Sequence, residues 1–389
     1  YQVKRKAGWD THGLPVELGV EKTLGITKED IGKKISVDDY NAACRREVMK
    51  YTKEWTDLTR KMGYWVDLDN PYITYDNKYI ETLWWLLAQL YKKGYLFKGY
   101  TIQPYSPAAG TGLSTHELNQ PGCYRDVKDT TATALFKITD PKPEMEGWGT
   151  PYFMAWTTTP WTLPSNTALC VGPKFDYVAI RTYNPYTGEK ITVVMAEVLV
   201  NSYFKQEGAS LALDSYNKGD KVIPYEIVGK WSGEQLVGMH YAQLMPWVKP
   251  CEKFDDNSPV YVKEAAAQHP DKLFNVDKDT FVEMDAEAFR VIPGDYVTTE
   301  DGTGIVHIAP TFGADDAKVA KAAGIPSLFM INRRGDTRPM VDLQGKYYLL
   351  DECAPEFVKM CVNTELYSKY AGAYVKNAYA PKFNPGGKY

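Results

Sequence analysis

The pattern of apolar and polar positions changes near residue 125. Before that point, apolar residues recur at spacings of three and four, which is the period of an amphipathic helix. Beyond it, apolar runs are short or alternate with polar residues, and clusters of Gly, Pro, Asn and Asp separate them, as is typical of β-strands. The pattern predicts a helical domain with short extended pieces over residues 1–125, and a mostly β, barrel-like domain over residues 126–389.

Two amphipathic helices are predicted in the first domain. Ser36 and Asp39 have the spacing of a capping box, and an apolar stripe follows them as far as Met62, next to a glycine that ends the helix. A second helix is predicted from Asn77 to Lys93, again with a glycine after it. Because each stripe lies on one helix face, we expect both to be buried in a core; the second stripe consists of Leu83, Leu86, Leu87 and Leu90.

In the second domain, the strand GIVHIAP precedes an Ala-rich segment, GADDAKVAKAAG, that is predicted to be a helix ending at Gly324. Two polar stretches, 205–222 and 251–280, are expected to be surface excursions. The alternation of short strands and turns around them favours a sheet-rich fold.

Composition excludes several classes of protein. The 389 residues are 44% hydrophobic and 24% charged, which is an ordinary globular balance, and the net charge of −4 argues against a generally basic nucleic-acid surface. The six cysteines include no CxxC pair, so there is no zinc signature, and free thiols fit a reducing compartment. No apolar run reaches the roughly 18 residues of a membrane span and no signal peptide is evident, so we expect a cytoplasmic location without a membrane partner.

The stretch TTTPWTLPSN, residues 157–166, places a row of hydroxyls after the apolar run that ends at Trp156. One interpretation is structural: β-branched threonines suit strand ends, and Pro and Asn suit turns. The other is that the hydroxyls line a polar pocket at the end of a strand.

The stretch GTGIVHIAPTFGADD, residues 302–316, carries His307 on a strand and two aspartates in the first turn of a helix. Taken alone it favours a structural interpretation, because acidic residues stabilise helix N-termini and a lone strand histidine is most often a core residue. Together with the threonine row it suggests a pocket that binds an ammonium group, orients a water molecule and hydrolyses a bond already disposed to break, such as an aminoacyl ester. The pocket residues would be Thr157, Thr158, Thr159, Asn166, His307 and Asp316.

A third motif, GWDTHGLPVE, residues 8–17, groups Asp10 and other polar residues with two glycines and a proline. Such a loop can bind a small charged ligand, but Asp10 could equally cap the loop. The chain has no phosphate-binding loop and no GxSxG motif.

In combination, GWDTHGLPVE, WTTTPWTLPSN and GTGIVHIAP…GADD resemble the motifs of the isoleucyl-tRNA synthetases, a family of class I aminoacyl-tRNA synthetases, and the resemblance extends over essentially the whole chain. It implies an α/β protein in which residues 1–125 are part of a Rossmann-type catalytic domain and residues 126–389 are its inserted editing domain. Because neither the HIGH nor the KMSKS signature of the family occurs in the sequence, the resemblance implies a fragment with an incomplete catalytic half.

The resemblance implies that the chain carries the site that hydrolyses valine wrongly attached to isoleucine tRNA. Its partners would be the 3′ acceptor end of that tRNA and valine or isoleucine as aminoacyl groups. The fragment would need no cofactor and act as a hydrolase only, whereas the full-length ligase uses ATP and Mg²⁺. Two alternatives remain: a non-catalytic module that grips the acceptor end, and a role in aminoacylation only, within the full-length parent.

The resemblance also implies roles for individual residues. Asp316 would bind the substrate α-ammonium group, and the threonines would surround the terminal adenosine and the scissile ester. His307 would border the amino acid side chain, Asn166 would support the threonine loop, and no residue would bind a metal. The implied catalytic residues are thus Thr157, Thr158, Thr159 and Asp316, and the implied substrate-binding residues are His307, Asn166, Trp156 and, in the synthetic site, Asp10.

Overall fold

The computed structural model describes residues 1–97, 99, 101–106, 110–126 and 128–376. The chain forms two compact units, Tyr1–Tyr100 and Thr101–Tyr389, and its described helices and sheets make a mixed α/β protein. The functional division into residues 1–125 and 126–389 stays a prediction, and residues 377–389 lie outside the described residues.

The described residues of the first unit form a two-stranded parallel sheet and four α-helices. Strand β1 (Lys6–Trp9) pairs with β2 (Asp67–Ile73). The helices are α1 (Leu14–Leu24), α2 (Val37–Val48), α3 (Thr52–Lys61) and α4 (Asn77–Lys92).

The predicted helix that begins after Ser36 is in fact two helices. The Ser36 hydroxyl caps α2, since it accepts a hydrogen bond from the backbone N–H of Asp39 at 3.1 Å. Between α2 and α3, the Thr52 hydroxyl donates to the Met49 carbonyl at 2.9 Å. A side chain that bonds the local backbone in this way competes with the helical ladder, and the helix is interrupted there.

Helix α4 begins and ends close to its predicted bounds, but its apolar stripe is not buried. The four leucines expose between 38% and 49% of their surface. A helical period identifies an apolar face but does not show which element covers that face. The expectation that these leucines are buried in a core is therefore wrong for the described residues.

The second unit is built mainly of short strands. They are β3 (Tyr105–Ser106), β4 (Thr111–Gly112), β5 (Ala132–Lys137), β6 (Thr150–Thr157), β7 (Ala168–Val171), β8 (Asp176–Tyr183), β9 (Lys190–Ala196), β10 (Glu226–Ser232), β11 (Cys251–Phe254), β12 (Leu273–Val276), β13 (Asp279–Glu283), β14 (Arg290–Pro293), β15 (Ile305–Ile308), β16 (Met330–Ile331) and β17 (Thr337–Arg338). The helices are α5 (Thr115–Leu118), α6 (Val200–Tyr203), α7 (Gly233–Leu236), α8 (Val260–Gln268), α9 (Ala314–Ala322), α10 (Pro355–Cys361) and α11 (Thr364–Tyr367).

These strands form open sheets. The largest has the order β10-β8-β9-β6-β5, two three-stranded sheets have the orders β14-β7-β15 and β11-β13-β12, and β3-β4 and β16-β17 are two-stranded. Within the described ranges no sheet pairs its first strand with its last, so the prediction of a barrel-like domain is not confirmed. Alternation along strands identifies buried faces, but closure depends on tilt and register, which the alternation does not encode.

The largest apolar cluster is shared by two sheets, because it also contains Leu169, Val291 and Ile305 of the β14-β7-β15 sheet. Phe136, Phe153 and Tyr177 are fully buried in the five-stranded sheet's core, and Ile308 of β15 packs with Ala320 of α9 in a separate cluster. The stretch 251–280 is not a surface excursion, because it supplies β11, α8 and β12.

No helix in the described part of the chain is long and apolar enough to cross a bilayer.

Candidate active site

The threonine row and the histidine strand are brought together by β7. Strand β6 ends at Thr157, residues 160–165 form a single 3₁₀ helix, and the chain then enters β7. Strand β15 pairs antiparallel with β7, with His307 opposite Leu169. Because β7 follows directly after the threonine segment, this pairing carries His307 next to the threonines.

A cavity of about 320 Å³ lies at this meeting point. It is also lined by the first turn of α9, which follows β15. Of the residues predicted for the site, six line the cavity: Trp156, Thr157, Thr158, Thr159, His307 and Asp316.

The threonine segment is ordered by its own hydroxyl groups. The Thr157 hydroxyl is buried and accepts a hydrogen bond from the backbone N–H of Thr159 at 3.0 Å. The Thr162 hydroxyl donates to the Thr159 carbonyl at 2.8 Å. Both bonds fix the backbone of the turn, so the exposed side chains of Thr158 and Thr159 are presented at the cavity from a rigid base.

His307 is a neutral wall of the cavity. Its side chain is 7% exposed, and burial lowers the pKa of the imidazole to about 4. The Nε2 atom lies 3.1 Å from the Thr162 hydroxyl, while Nδ1 is buried without a hydrogen-bond partner among the described residues. At neutral pH the ring therefore contributes shape and one unpaired nitrogen rather than charge.

Asp316 presents a partly buried carboxylate. Its Oδ2 atom accepts a hydrogen bond from the backbone N–H of Ala309 at 2.9 Å, and no hydrogen bond to Oδ1 is found within the described ranges. Burial raises the pKa of the carboxyl, and the bond to Ala309 opposes that rise. A Cβ at position 313 would approach the carboxyl carbon to 2.7 Å, so Gly313 leaves the room that the carboxylate occupies. One oxygen thus braces the loop, and the other is available to a cation.

The remaining two predicted residues lie elsewhere. Asn166 is buried outside the cavity lining, where its Nδ2 donates to the Ala168 carbonyl and its Oδ1 accepts from the Tyr241 hydroxyl, both at 2.7 Å. It therefore braces the end of the threonine segment and offers no free amide. Asp10 belongs to the first unit, where its Oδ1 atom accepts from the backbone N–H of His12 at 3.4 Å.

Tyr177 supports the cavity and was not predicted. Its buried hydroxyl accepts from the backbone N–H of Gly172 at 2.9 Å and donates to the Gly304 carbonyl at 2.6 Å. A Cβ on Gly304 would come within 2.4 Å of the Ala196 side chain, so this part of the wall needs glycine. No sequence signal distinguishes this tyrosine from the 28 others in the chain.

Three further lining residues were also missed. They share the run GDYVTTEDGTG, immediately before the histidine strand, and its polar side chains next to a Gly-rich turn were the signal that could have indicated them. They are Tyr296, Thr298 and Asp301. Within the described ranges, no group of three or more His, Cys, Asp and Glu side chains is arranged to hold a metal ion.

Known proteins resemble the chain over its whole length. Residues 1–349 match the family model of the class I tRNA synthetases (I, L, M and V). The isoleucine–tRNA ligase of Bacteroides thetaiotaomicron is 69% identical over 100% of the chain and 32% of that protein, and that of Porphyromonas gingivalis is 61% identical over 97% of the chain and 30% of that protein. The chain thus spans about a third of the length of these relatives. The solved structure of GlLeuRS-CP1 matches 50% of the chain and 63% of that structure at 14% identity, with a TM-score of 0.28 that is too low to indicate a shared fold.

Proposed function

This chain belongs to the class I tRNA synthetases, and from that premise we propose that its threonine-lined cavity hydrolyses the ester of valine wrongly attached to isoleucine tRNA. The observation that carries the proposal is the convergence of three threonines, a neutral histidine and a partly buried aspartate on one cavity of about 320 Å³. The similarity to isoleucine–tRNA ligases supports isoleucine tRNA as the carrier.

The aminoacyl group would be held by its ammonium group. Asp316 has one oxygen bonded to the Ala309 backbone, so Oδ1 can accept from the ammonium while the loop geometry is kept. A charge-assisted bond of this kind in a partly desolvated site contributes about 1.5–3 kcal/mol. The ammonium would thereby orient the ester toward the threonine hydroxyls.

Hydrolysis would depend on positioning. An aminoacyl ester is already reactive, so a water molecule held against its carbonyl carbon supplies most of what the reaction needs. The Thr158 and Thr159 hydroxyls can hold that water or the terminal ribose, because the hydrogen bonds of Thr157 and Thr162 keep their backbone in place. His307, with its pKa lowered to about 4, stays neutral and therefore does not repel the ammonium group.

Selectivity would come from the wall around the side chain. Isoleucine exceeds valine by one methylene, a difference that a synthetic site resolves only about 150-fold, for which this family is the standard example. Forcing an extra methylene into a filled site costs about 1–3 kcal/mol. The rigid, buried ring of His307 would impose that cost on isoleucine and leave valine unaffected.

We propose aminoacylation, with ATP and Mg²⁺, only for the full-length protein, because the chain spans about a third of the length of its relatives. The residues in hand do not fit those groups: the sequence contains neither HIGH nor KMSKS, and the described residues contain no metal-holding cluster. A cytoplasmic location is proposed with the function.

Incubation of the chain with valyl- and isoleucyl-charged isoleucine tRNA, following ester loss with time, tests the proposal. We expect loss of the valyl ester well above the uncatalysed rate and retention of the isoleucyl ester. Binding of the charged tRNA without acceleration of ester loss would instead support the non-catalytic module that grips the acceptor end.

A further inference from the structure

A second cavity lies on the five-stranded sheet and has a volume of about 480 Å³; no described residue lines both it and the threonine-lined cavity. We name it the lysine-rimmed cavity. Its floor is formed by Leu135, Met154, Ile191 and Val193, and its rim includes Lys205 and Lys221.

The floor is a continuous aliphatic surface. Leu135 of β5 lies opposite Met154 of β6 in the antiparallel register. Ile191 and Val193 are two positions apart on β9, so they project from the same face. Thr182 of β8 also lines the cavity, and its hydroxyl donates to the Pro224 carbonyl at 3.0 Å.

The segment that includes the lining residue Ile223 is held against the sheet by specific contacts. Besides the bond from Thr182, the Tyr225 backbone N–H donates to the Gly208 carbonyl at 3.3 Å. A Cβ on Gly208 would lie 2.4 Å from the Ile223 carbonyl oxygen, so the two backbones touch only because a glycine is present. The stretch 205–222 is mostly exposed, as expected of a surface excursion, and it contributes Lys205 and Lys221 to the cavity.

Aromatic rings complete the wall from the other side. Tyr183 stacks on Tyr216 with ring centroids 4.5 Å apart. The turn that carries Tyr186 is fixed by the Asn184 side chain, whose oxygen accepts from the backbone N–H groups of Tyr186 and Thr187 at 2.9 and 3.2 Å. These contacts hold the opening in one shape, as a preformed ligand site requires.

The rim is positive and unpaired. Lys205 and Lys221 have no side-chain hydrogen bond or ion pair among the described residues, although the chain as a whole carries a net charge of −4. The nearby Lys190, by contrast, is paired with Asp214 at 3.4 Å. Two ammonium groups left without partners over an aliphatic floor match a ligand with an apolar body and one anionic end.

We propose that the lysine-rimmed cavity binds a small apolar carboxylate, with its hydrocarbon or aromatic body on the Leu135–Met154 floor and its carboxylate between Lys205 and Lys221. A volume of about 480 Å³ lies within the roughly 300–1,000 Å³ of small-molecule sites. The four side chains of the floor offer no hydrogen bond to the edge of a nucleobase, so the floor suits an apolar body better than a base.

Titration calorimetry of the whole chain tests this proposal with octanoate and indole-3-acetate, which distinguish an acyl from an aromatic ligand. We expect at least one acid to bind, and octylammonium, which has the same chain and the opposite charge, not to bind. Lys205→Glu/Lys221→Glu should weaken acid binding at least tenfold, whereas Lys174→Glu/Lys369→Glu, with the same charge change outside the cavity, should leave it within about twofold.

A filling variant tests the floor separately from the charge. Thr133 lines the cavity from the exposed side of β5, so Thr133→Trp should block binding without disturbing the core, and circular dichroism checks that it folds. Any of three results would overturn the proposal. Octylammonium could bind as tightly as the acids, the Lys205→Glu/Lys221→Glu variant could bind the acids as tightly as the wild type, or neither acid could bind at about 5 mM. Hydrolysis of the valyl ester should be unchanged in the Lys205→Glu/Lys221→Glu and Lys174→Glu/Lys369→Glu variants, so failure here is distinguishable from failure of the proposed function.

Discussion

The Thr162 hydroxyl lies 3.1 Å from Nε2 of His307 and joins the threonine segment to the strand that carries the histidine. The same hydroxyl donates to the Thr159 carbonyl, so it accepts from the ring, and the proton of the neutral imidazole is on Nε2. One threonine therefore sets both the turn and the orientation of the ring.

Removing that hydroxyl should disorient His307. Thr162→Val keeps the shape but leaves a buried Nε2–H unpaired, which costs about 1–3 kcal/mol. We expect valyl-ester hydrolysis to fall about tenfold and discrimination against the isoleucyl ester to weaken, whereas Thr162→Ser, which retains the hydroxyl, should behave like the wild type. Deacylation assays on both variants measure the difference, and wild-type rates and selectivity for Thr162→Val would contradict this assignment.

Asp316→Asn separates the charge of the carboxylate from its structural bond. An amide oxygen can still accept from the Ala309 backbone, so stability should change by less than about 1 kcal/mol. The ammonium group loses its counter-charge, and we expect hydrolysis of the valyl ester to fall at least tenfold, as it also should in Asp316→Ala. Urea unfolding and deacylation rates on one preparation give both quantities. A fully active Asp316→Asn would mean that Asp316 only holds the loop through its bond to Ala309.

His307→Ala should remove the size limit. The ring is buried in the cavity wall, and its loss opens space for the extra methylene of isoleucine. We expect the isoleucyl ester to become a substrate while the valyl ester is still hydrolysed. A melting curve controls for unfolding, and a folded variant that still spares the isoleucyl ester would assign the limit to another residue.

Stability should depend on pH through His307. The folded pKa of about 4 lies below the usual 6.5, so the unfolded chain binds the extra proton between these values and stability is lost as pH falls from about 6.5 to 4. The loss amounts to about 3 kcal/mol. Glu252 shifts stability in the opposite sense, because burial raises its pKa to about 7.

A difference measurement isolates the histidine. The gap in free energy of unfolding between wild type and His307→Gln, taken from urea titrations at pH 7 and pH 4, should change by about 3 kcal/mol, since Glu252 contributes equally to both chains. An unchanged gap would mean that the imidazole is not buried as described.

Tyr177→Phe should destabilise the second unit. The variant leaves the Gly172 N–H and the Gly304 carbonyl without their partner in a buried region, at a cost of about 2 kcal/mol. Tyr186→Phe, at a side chain that is 86% exposed, is the matched control and should change stability by less than about 0.5 kcal/mol. Equal unfolding midpoints for the two variants would contradict the bridging role.

The sequence allowed part of the candidate site to be predicted, because its residues belong to recognisable local patterns. The threonine row follows the apolar run of β6, His307 lies in β15, and Asp316 lies in the first turn of α9. Tyr177 and Tyr296 could not be found in this way, since their roles depend on partners more than 100 residues away or on the path of a loop.

The fold was predictable where local rules dominate. The start of α2 follows from Ser36, and α9 from its Ala-rich run up to Gly324. Burial of the leucines on α4 and closure of the sheets into a barrel were not predictable, because both depend on how elements meet in space. Asn166 illustrates the same limit: its amide faces Tyr241 and Ala168 rather than the cavity.

The bond between Thr162 and His307 joins residues 145 positions apart in the chain. During synthesis, the threonine segment leaves the ribosome long before the histidine strand exists, and a contact of this sequence separation forms late because loop closure must come first. Both neighbours of β7 in its sheet, β14 and β15, are made more than 100 residues after it. In a nascent chain the proposed hydrolytic site would therefore be incomplete until Asp316, about three-quarters of the way through the second unit, had emerged, so the timing of activity would be set by chain topology.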